Sequence, residues 1–584
     1  MKERILRGIP VSGDFGYGDI KIYSPELPII EKKEILPHEI PQELEKFERA
    51  IILSKEDFEK IYQKVRAEIG KDIAEFIQIQ IAFLTDETVL KETKEYIEKE
   101  RVIAEYAYSE VIKRYYHNLI NKGKTVFIDK GLEIFDVCCY VIEKLKDSKK
   151  GFSLLQPKEK CVIFAQSLTP MNMALLDKNY ILGIALEMGG KTSHISIMAK
   201  AKEIPTVVGV EKLLHFGANV QKAIIDGNRG MVILSPTEKR ISLYEKEKEE
   251  LTKRRKLIIA KKEREAKTKD GKYIDISANI EFVYEAVIAK EYGAKGIGLF
   301  RTEYLFLSKR NLPTEEEQFQ LYKEVAEKMK PYFVIIRTFD LGGDKIIPGY
   351  FESNPFLGWR GIRFCLSNLD FFKTQLKAIL KASTTRNIKI MLPMVSNIEE
   401  VIKTKKILEE LKEELRREKI DFDENIELGI MVETPSSVLL SDVLAKLCHF
   451  FSIGSNDLTQ YTLACDRGNE KVSYLFNHYH PAVLRLIKET IKNGHKNGIW
   501  VGLCGELAGE PLGIILLIGL GIDELSMAPH LIPYAKELIS LLDTDFCKEL
   551  AEKVINFSTV PEVIKYLKKK IKKEGILLEK YTYV

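Results

Sequence analysis

No stretch of this chain is apolar for long enough to cross a membrane. The longest apolar run, Leu512 to Ile522, falls well short of the ~18 residues that a spanning helix needs. The opening "MKERILRGIPVSGDFGYG" breaks into glycines and a proline before a signal-peptide core can form. Cysteine is sparse and scattered: there are eight, with no CxxC pair and only Cys138 and Cys139 adjacent. That excludes a disulfide framework or a zinc site and predicts reduced core thiols. An excess of one charge is missing too. The 90 Lys plus Arg stand against 86 Asp plus Glu, a net +4 over 584 residues, which gives no general affinity for nucleic acid or an anionic membrane. The expectation is a cytoplasmic protein with no membrane insertion and no nucleic-acid partner.

What is present is enough for several globular domains: 45% hydrophobic and 30% charged residues, a balance that fills cores and keeps a wet surface. Residues 21–145 read as helices, because "ELEKFERAIILSKEDFEKIYQKV" and "FIQIQIAFLTDETVLKETKEYIEK" repeat apolar residues at spacings of three and four. Short apolar runs with turns, "CVIFA", "ILGIAL", "PTVVGV" and "KAIIDG", then predict a compact α/β unit over 146–236, to which residues 1–20 add a strand. The helices are thus an insertion. Residues 237–268 are charged almost throughout. Glutamates interleave with lysines at helical spacing there, which favours a solvated linker helix over a nucleic-acid arm.

Over residues 269–584, eight strand-like segments alternate with helical text: "YIDISAN", "GIGLFRTE", "VIIRTFD", "IKIMLPM", "LGIMVE", "FFSIGSND", "WVGLCGE" and "DELSMAP". Lacking a dinucleotide glycine fingerprint, the series predicts a (β/α)8 barrel rather than an open doubly wound sheet. The fold class is therefore multidomain α/β. Asn279, Arg301, Arg337, Glu433, Asn456, Asp457 and Cys504 fall where apolar strands end, on the face where barrel enzymes build their sites. Arginine forks match phosphate and carboxylate oxygens. Glu433 and Asp457, with a phosphate, offer the sparse oxygen ligation that magnesium accepts. A rim with arginines, a magnesium pair and no obvious carboxylate base suits phosphoryl transfer by positioning and charge neutralisation. Cys504 reads equally as a small buried filler or as a thiol that protonates an enolate. His478 and His480 lack metal-site partners and read as packing at a helix start.

One motif stands outside the barrel. In "GGKTSH", His194 precedes the apolar helix-like "ISIMAKA", which puts it at a predicted helix start, where N–H groups and the helix dipole favour an incoming phosphate. Thr192, Ser193 and Thr169 are candidate hydroxyls to orient the imidazole. Spacing alone leaves both a capping histidine and a phosphoryl acceptor open.

"GGKTSHISIMAKAKEIPTVVGV" resembles the swivelling phosphohistidine domain of the phosphoenolpyruvate-utilising enzymes. "GIGLFRTEYLF", "LPTEEEQF", "RTFDLGGDK", "NPFLGWRGIR", "QLKAILKAS", "FFSIGSNDLTQY" and "GLCGELAGEP" resemble that family's barrel, in order. Within the family the likeness is to the enzyme I branch of the bacterial sugar phosphotransferase system. The resemblance implies that Arg301, Arg337, Arg467, Asn456 and Asp457 hold phosphoenolpyruvate, with Arg360 a further candidate. It implies Mg2+ on Glu433 and Asp457, and Cys504 as proton donor to enolpyruvate. His194 would take the phosphoryl group and pass it to an HPr or HPr-like carrier docked on the helical insertion. A homodimer through the barrel is implied as well. The related dikinases and synthases carry an ATP-binding domain, yet the text before His194 holds no glycine-rich nucleotide loop. A regulatory phosphoprotein scaffold would show an eroded rim, and every expected rim residue is present. Gln80 stands where many relatives have histidine, and Cys138 and Cys139 follow a stretch that is usually more charged.

Overall fold

The computed structural model describes residues 3–23, 30–68, 71–120, 125–146, 159–190, 194–202, 204–259, 262–307, 312–342, 352–467, 469, 471–578 and 581. The chain divides into two compact units, and the division falls after Lys253, within the charged helix Glu238–Ile259.

The first unit is built on an eight-stranded sheet. Its strands are β1 (Arg4–Arg7), β2 (Ile9–Ser12), β3 (Phe15–Tyr23), β4 (Cys161–Ala165), β5 (Ile181–Leu186), β6 (Thr206–Val208), β7 (Lys222–Asp226) and β8 (Met231–Leu234), in the spatial order β1-β8-β7-β3-β4-β5-β6-β2. The four inner strands β3 to β6 run parallel, and β7, β8, β1 and β2 pair antiparallel. The residues before Tyr23 make three strands, where one was expected. Gly8 separates the first two, and the chain turns at Asp14, whose φ is +75°. Asp14 is one of the few residue types that tolerates a positive φ, and its N–H donates to Asn228 Oδ1.

Five helices, Ile40–Glu68, Lys71–Leu84, Glu87–Glu100, Ala104–Ile120 and Thr125–Lys146, come between β3 and β4. Glu87–Glu100 shows why such text is helical. Asp86 caps it by accepting from Thr88 N and Val89 N, which satisfies amides that have no partner in the first turn. Val89, Thr93 and Ile97 then lie along its buried stripe. Gln80 is also buried, and neither atom of its amide is hydrogen-bonded.

In the second unit, β9 (Asp275–Ile280), β10 (Gly296–Phe300), β11 (Phe333–Arg337), β12 (Ile388–Leu392), β13 (Glu427–Val432), β14 (Phe450–Ile453), β15 (Trp500–Leu503) and β16 (Glu524–Met527) close into a parallel barrel. Each pair is parallel, including β16 with β9, which shuts the ring. The motif "LPTEEEQF" is a capping box. Thr314 accepts from Glu317 N, and the Glu317 carboxylate accepts from Thr314 N, at the start of helix Glu315–Met329. The apolar run near residue 515 is the buried helix Pro511–Leu520. No described helix is long and apolar enough to cross a membrane. All eight cysteines are free and all but Cys139 are buried.

Leu299, Ile335, Met391, Met431, Phe450 and Cys504 fill one side of the barrel interior, with Phe333 and Trp500 against them. The other side is polar, because β9, β14 and β16 turn Ser277, Ser452, Glu524 and Ser526 into buried positions.

Candidate active site

The strand ends carry the side chains that the sequence pattern placed there. Arg337 is the last residue of β11, and Arg301 follows β10 directly. Glu433 follows β13, and Cys504 follows β15. Asn456 and Asp457 open the helix Ser455–Leu463 beyond β14. In a parallel barrel all these positions share the C-terminal face.

The buried arginines come with carboxylates of the protein. Arg337 donates through Nη2 to Glu303 Oε1 at 2.7 Å and lies 3.5 Å from Asp340 Oδ2. Arg360 grips both Asp340 oxygens, from Nε at 3.2 Å and Nη2 at 2.8 Å, and reaches Asp457 Oδ1 at 3.4 Å and Tyr461 Oη at 3.1 Å. Tyr461 in turn donates to the Phe356 carbonyl. Burial works against the Arg337 charge, but Glu303, Asp340 and Glu433 outweigh it and hold its pKa above the ordinary range. Thus no ligand is needed to neutralise this pair of arginines; their charge is already met. Glu303 and Asp340 were not singled out from sequence, although each sits in a quoted motif, "FRTE" and "RTFD", beside an arginine that was.

Arg301 lies further out, half-exposed, and pairs with Glu281 at 2.6 Å. Arg467 is exposed, on the turn after Ser455–Leu463; its backbone N–H donates to Gln460 Oε1. The structure therefore joins Arg337 and Arg360 in one buried cluster and leaves Arg301 and Arg467 towards solvent.

Glu433 is buried at the rim with only one of its oxygens hydrogen-bonded. Its Oε1 accepts from Met394 N at 2.6 Å, whereas its Oε2 is buried with no hydrogen bond. Burial, with Asp457 and Asp340 adding repulsion, pushes its pKa up to about 8. Gly454 makes room for it, since a Cβ there would lie 2.9 Å from Oε2. An orphaned carboxylate oxygen facing a second carboxylate fits a hard divalent cation. Among the described residues, no group of three or more His, Cys, Asp and Glu gathers as a metal site, so a cation here would take further oxygens from its ligand and from water.

Cys504 lies against β14: its N–H and Sγ both point at the Ile453 carbonyl, at 3.1 and 3.8 Å. Burial, with the nearby Glu524 and Glu433 charges, pushes the thiol up to about 12. At neutral pH it holds its proton. Asn279 donates to the Cys504 carbonyl at 2.9 Å and accepts from Ser526 Oγ at 2.6 Å, tying β9, β15 and β16 together beneath the rim. Asn456 Oδ1 accepts from Glu506 N at 3.0 Å, which fixes the loop after Cys504. His480 caps helix Pro481–Lys496, and buried His478 meets Thr459 Oγ1 at 2.9 Å.

In the first unit, His194 is the first residue of helix His194–Ala201. Residues 191–193, and with them Thr192 and Ser193, lie outside the described residues, as does the His194 side chain. Gly189 has φ +115° and Gly190 has open space around its Cβ direction. Ser196 Oγ donates to the Gly190 carbonyl and ties the loop to the helix. Thr169 caps helix Pro170–Leu175 and donates to Asp136 Oδ2 at 2.5 Å. Its hydroxyl is thus committed to a carboxylate of the helical insertion. Burial pushes Asp136 up to about 6.

Three family models match: "PEP-utilising enzyme, N-terminal" over residues 7–126, "PEP-utilising enzyme, mobile domain" over 157–230 and "PEP-utilising enzyme, PEP-binding domain" over 255–544. A protein of Bacillus subtilis (strain 168) described as phosphoenolpyruvate-protein phosphotransferase is 39% identical over 577 residues, covering 97% of this chain and 100% of its own. A protein of the same description from Priestia megaterium is 38% identical over 96% of this chain and 98% of its own. A solved structure described as an NMR solution structure of Enzyme I (nEIt) is 30% identical, covers 42% of this chain and 99% of its own, and superposes with a TM-score of 0.35.

Proposed function

The chain belongs to the family of PEP-utilising enzymes, and on that premise we propose that it moves the phosphoryl group of phosphoenolpyruvate to His194. From there the group passes to a histidine of an HPr-type carrier protein, with pyruvate released at the barrel. This is the opening step of a sugar phosphotransferase system, and the reading sets the protein in the cytoplasm as a homodimer joined through its barrel. The observation that carries it is the cluster of buried Arg337, Arg360, Glu303, Asp340 and Glu433 with the partly buried Asp457, one strand end away from the Cys504 thiol.

In this reading Arg301, Arg337 and Arg467 receive the phosphate and carboxylate of the substrate, and Arg360 and Asn456 hold the floor in place. Arginine forks offer parallel donors to both anionic groups. Their carboxylate partners keep the forks aimed before substrate arrives, so little reorganisation remains for the reaction itself. Glu433 through its unbonded Oε2, and Asp457, would hold Mg2+, which when bound neutralises phosphate charge. Loss of the phosphoryl group leaves an enolate, and Cys504 supplies the proton to its methylene carbon. His194, at the start of its helix, attacks phosphorus with a neutral imidazole nitrogen. The helical segment 21–145 serves as the carrier-docking part, and the charged segment 237–268 as the joint on which the phosphohistidine domain moves.

Incubation with labelled phosphoenolpyruvate and magnesium is expected to give an acid-labile, base-stable phosphoprotein that His194→Ala abolishes. Label retained on His194→Ala protein, or none on the intact chain, would overturn the reading.

A further inference from the structure

The reaction above uses the rim and leaves the inside of the barrel unexplained. There, one tier below Cys504, sits a carboxyl that packing alone does not account for. Glu524 starts β16 and is almost completely buried, and neither of its oxygens makes a hydrogen bond. Among the described residues no base forms an ion pair with it. A buried carboxyl in this state costs stability compared with an apolar residue of similar volume.

Its surroundings are shaped to admit it. A Cβ on Gly502 of β15 would fall 2.1 Å from Glu524 Oε2, and one on Gly298 of β10 would fall 2.3 Å from Oε1. Any side chain at either place would evict the carboxyl. Gly502 is the register partner of Glu524, and Cys504 lies two residues further along the same strand face, about 6.6 Å along the strand. Ser452 of β14 is the register partner of Gly502, and Ser277 of β9 is that of Ser526. The Ser452 hydroxyl stands beside the Cys504 thiol and the Ser277 hydroxyl beside Glu524, near enough to bias their titration. Neither hydroxyl closes a hydrogen bond with protein. Four orphaned polar atoms thus share the tiers under the thiol.

Below Glu524 the line continues to solvent. Its other register partner is Asp275, which is exposed and lines a cleft of 590 Å³ on the N-terminal face together with Tyr273, Lys295, Tyr332, Lys389 and Glu427. We infer that Asp275, Glu524, Ser277 and Ser452 form a proton path through the barrel, by which Glu524 returns a proton to Cys504 after each turnover. This rests on the reading that Cys504 protonates the enolate.

The steps balance as proton transfers. The Cys504 S–H bond breaks as the C–H bond of pyruvate forms, leaving a thiolate. The Glu524 O–H bond then breaks, the S–H bond reforms, and the Glu524 carboxylate recovers its proton from water in the cleft by way of Asp275. The direction is downhill, since burial, opposed by Ser277 and helped by the Asp275 charge, pushes Glu524 up to about 8, below the thiol at about 12. The charged groups that face the path are Asp275 with its neighbours Asp523 and Lys389 at the cleft, and Glu433 and Arg337 at the rim. In that reading the substrate occupies the rim, and the path reaches the thiol from the opposite face.

The test compares two activities of the full-length protein. In exchange of labelled pyruvate into phosphoenolpyruvate, incoming pyruvate hands its methyl proton back to the thiolate, so no outside proton is needed. Net transfer to purified HPr needs one per turnover. For Glu524→Gln we expect exchange within about twofold of the parent. Net transfer should fall about tenfold or more, with a first burst of pyruvate at the parental rate. Asp275→Asn, in the exposed cleft, should show the same split and guards against a folding defect in the buried variant. Equal losses in both activities, or no loss in either, would overturn the path. Cys504→Ala is the control for the premise: if it keeps parental net transfer, the reading of Cys504 fails, whatever Glu524→Gln does.

Discussion

Asp340→Asn tests whether charge holds the rim together. Asp340 serves two arginines at once, Arg360 at 3.2 and 2.8 Å and Arg337 at 3.5 Å, and all three side chains are nearly fully buried. The amide keeps the shape of the carboxylate but carries no charge, and it sets an N–H donor against guanidinium donors. Arg337 retains Glu303 at 2.7 Å, while Arg360 keeps the neutral Tyr461 hydroxyl at 3.1 Å and, as its one charged partner among the described residues, Asp457 at 3.4 Å. Removing one member of a buried charge set costs about 3–5 kcal/mol. Because two carboxylates stay in place, the lower end applies, about 3 kcal/mol. At about 2 °C per kcal/mol for a large domain, the melting transition of the barrel should drop by about 6 °C. The measurement is thermal unfolding followed by circular dichroism at pH 7, with labelling by phosphoenolpyruvate on the same samples. Labelling should weaken through the Michaelis constant, since the misaligned forks hold substrate less well. An unchanged melting temperature would refute the argument. A higher one would show that desolvating these charges costs more than their attraction returns.

Further outcomes can be checked with the same material. Gly454→Ala places a Cβ 2.9 Å from Glu433 Oε2, so phosphorylation should slow about tenfold with only a modest loss in melting temperature; parental rates would mean that the exact seat of Glu433 is unimportant. Glu524 has a raised folded-state pKa of about 8, so the native state keeps a proton that the unfolded chain has already lost. Stability should therefore fall as pH rises between the ordinary carboxylate range and pH 8, by at most about 1.4 kcal/mol per pH unit. Glu524→Gln removes that slope, so its melting temperature relative to the parent should be higher at pH 8 than at pH 5, and parallel curves would refute the burial argument. Asp86→Ala removes the cap of helix Glu87–Glu100 and should cost about 1 kcal/mol in the first unit, read by urea unfolding.

Much of this architecture is legible in one dimension because it rests on local rules. A helix such as Glu87–Glu100 announces itself by a cap and a stripe, and each barrel strand by a short apolar run that stops at a polar residue. That stop is why Arg301, Arg337, Glu433 and Cys504 could be placed on one face before any fold was seen. The three-strand start of the chain was harder to read, since its reversals depend on Gly8 and on a positive φ at Asp14, neither of which has a periodicity. Thr169 shows the limit differently: its hydroxyl was a candidate for His194, but it also begins a helix and meets Asp136, which is 33 residues away in the chain.

The sequence by itself determined most of the elements, their order, the closed parallel barrel and which polar side chains end its strands, because hydrogen bonding within a helix and alternation along a strand leave a repeating mark in the chain. Only the tertiary structure decided which charges meet. Arg360 bonds Asp340 and Asp457, Glu433 loses a partner for one oxygen, and Glu524 lies under Cys504 because β15 and β16 are in register. Such pairings join residues that are distant in the chain, and the energy of a buried charge depends on every neighbour that barrel closure brings to it.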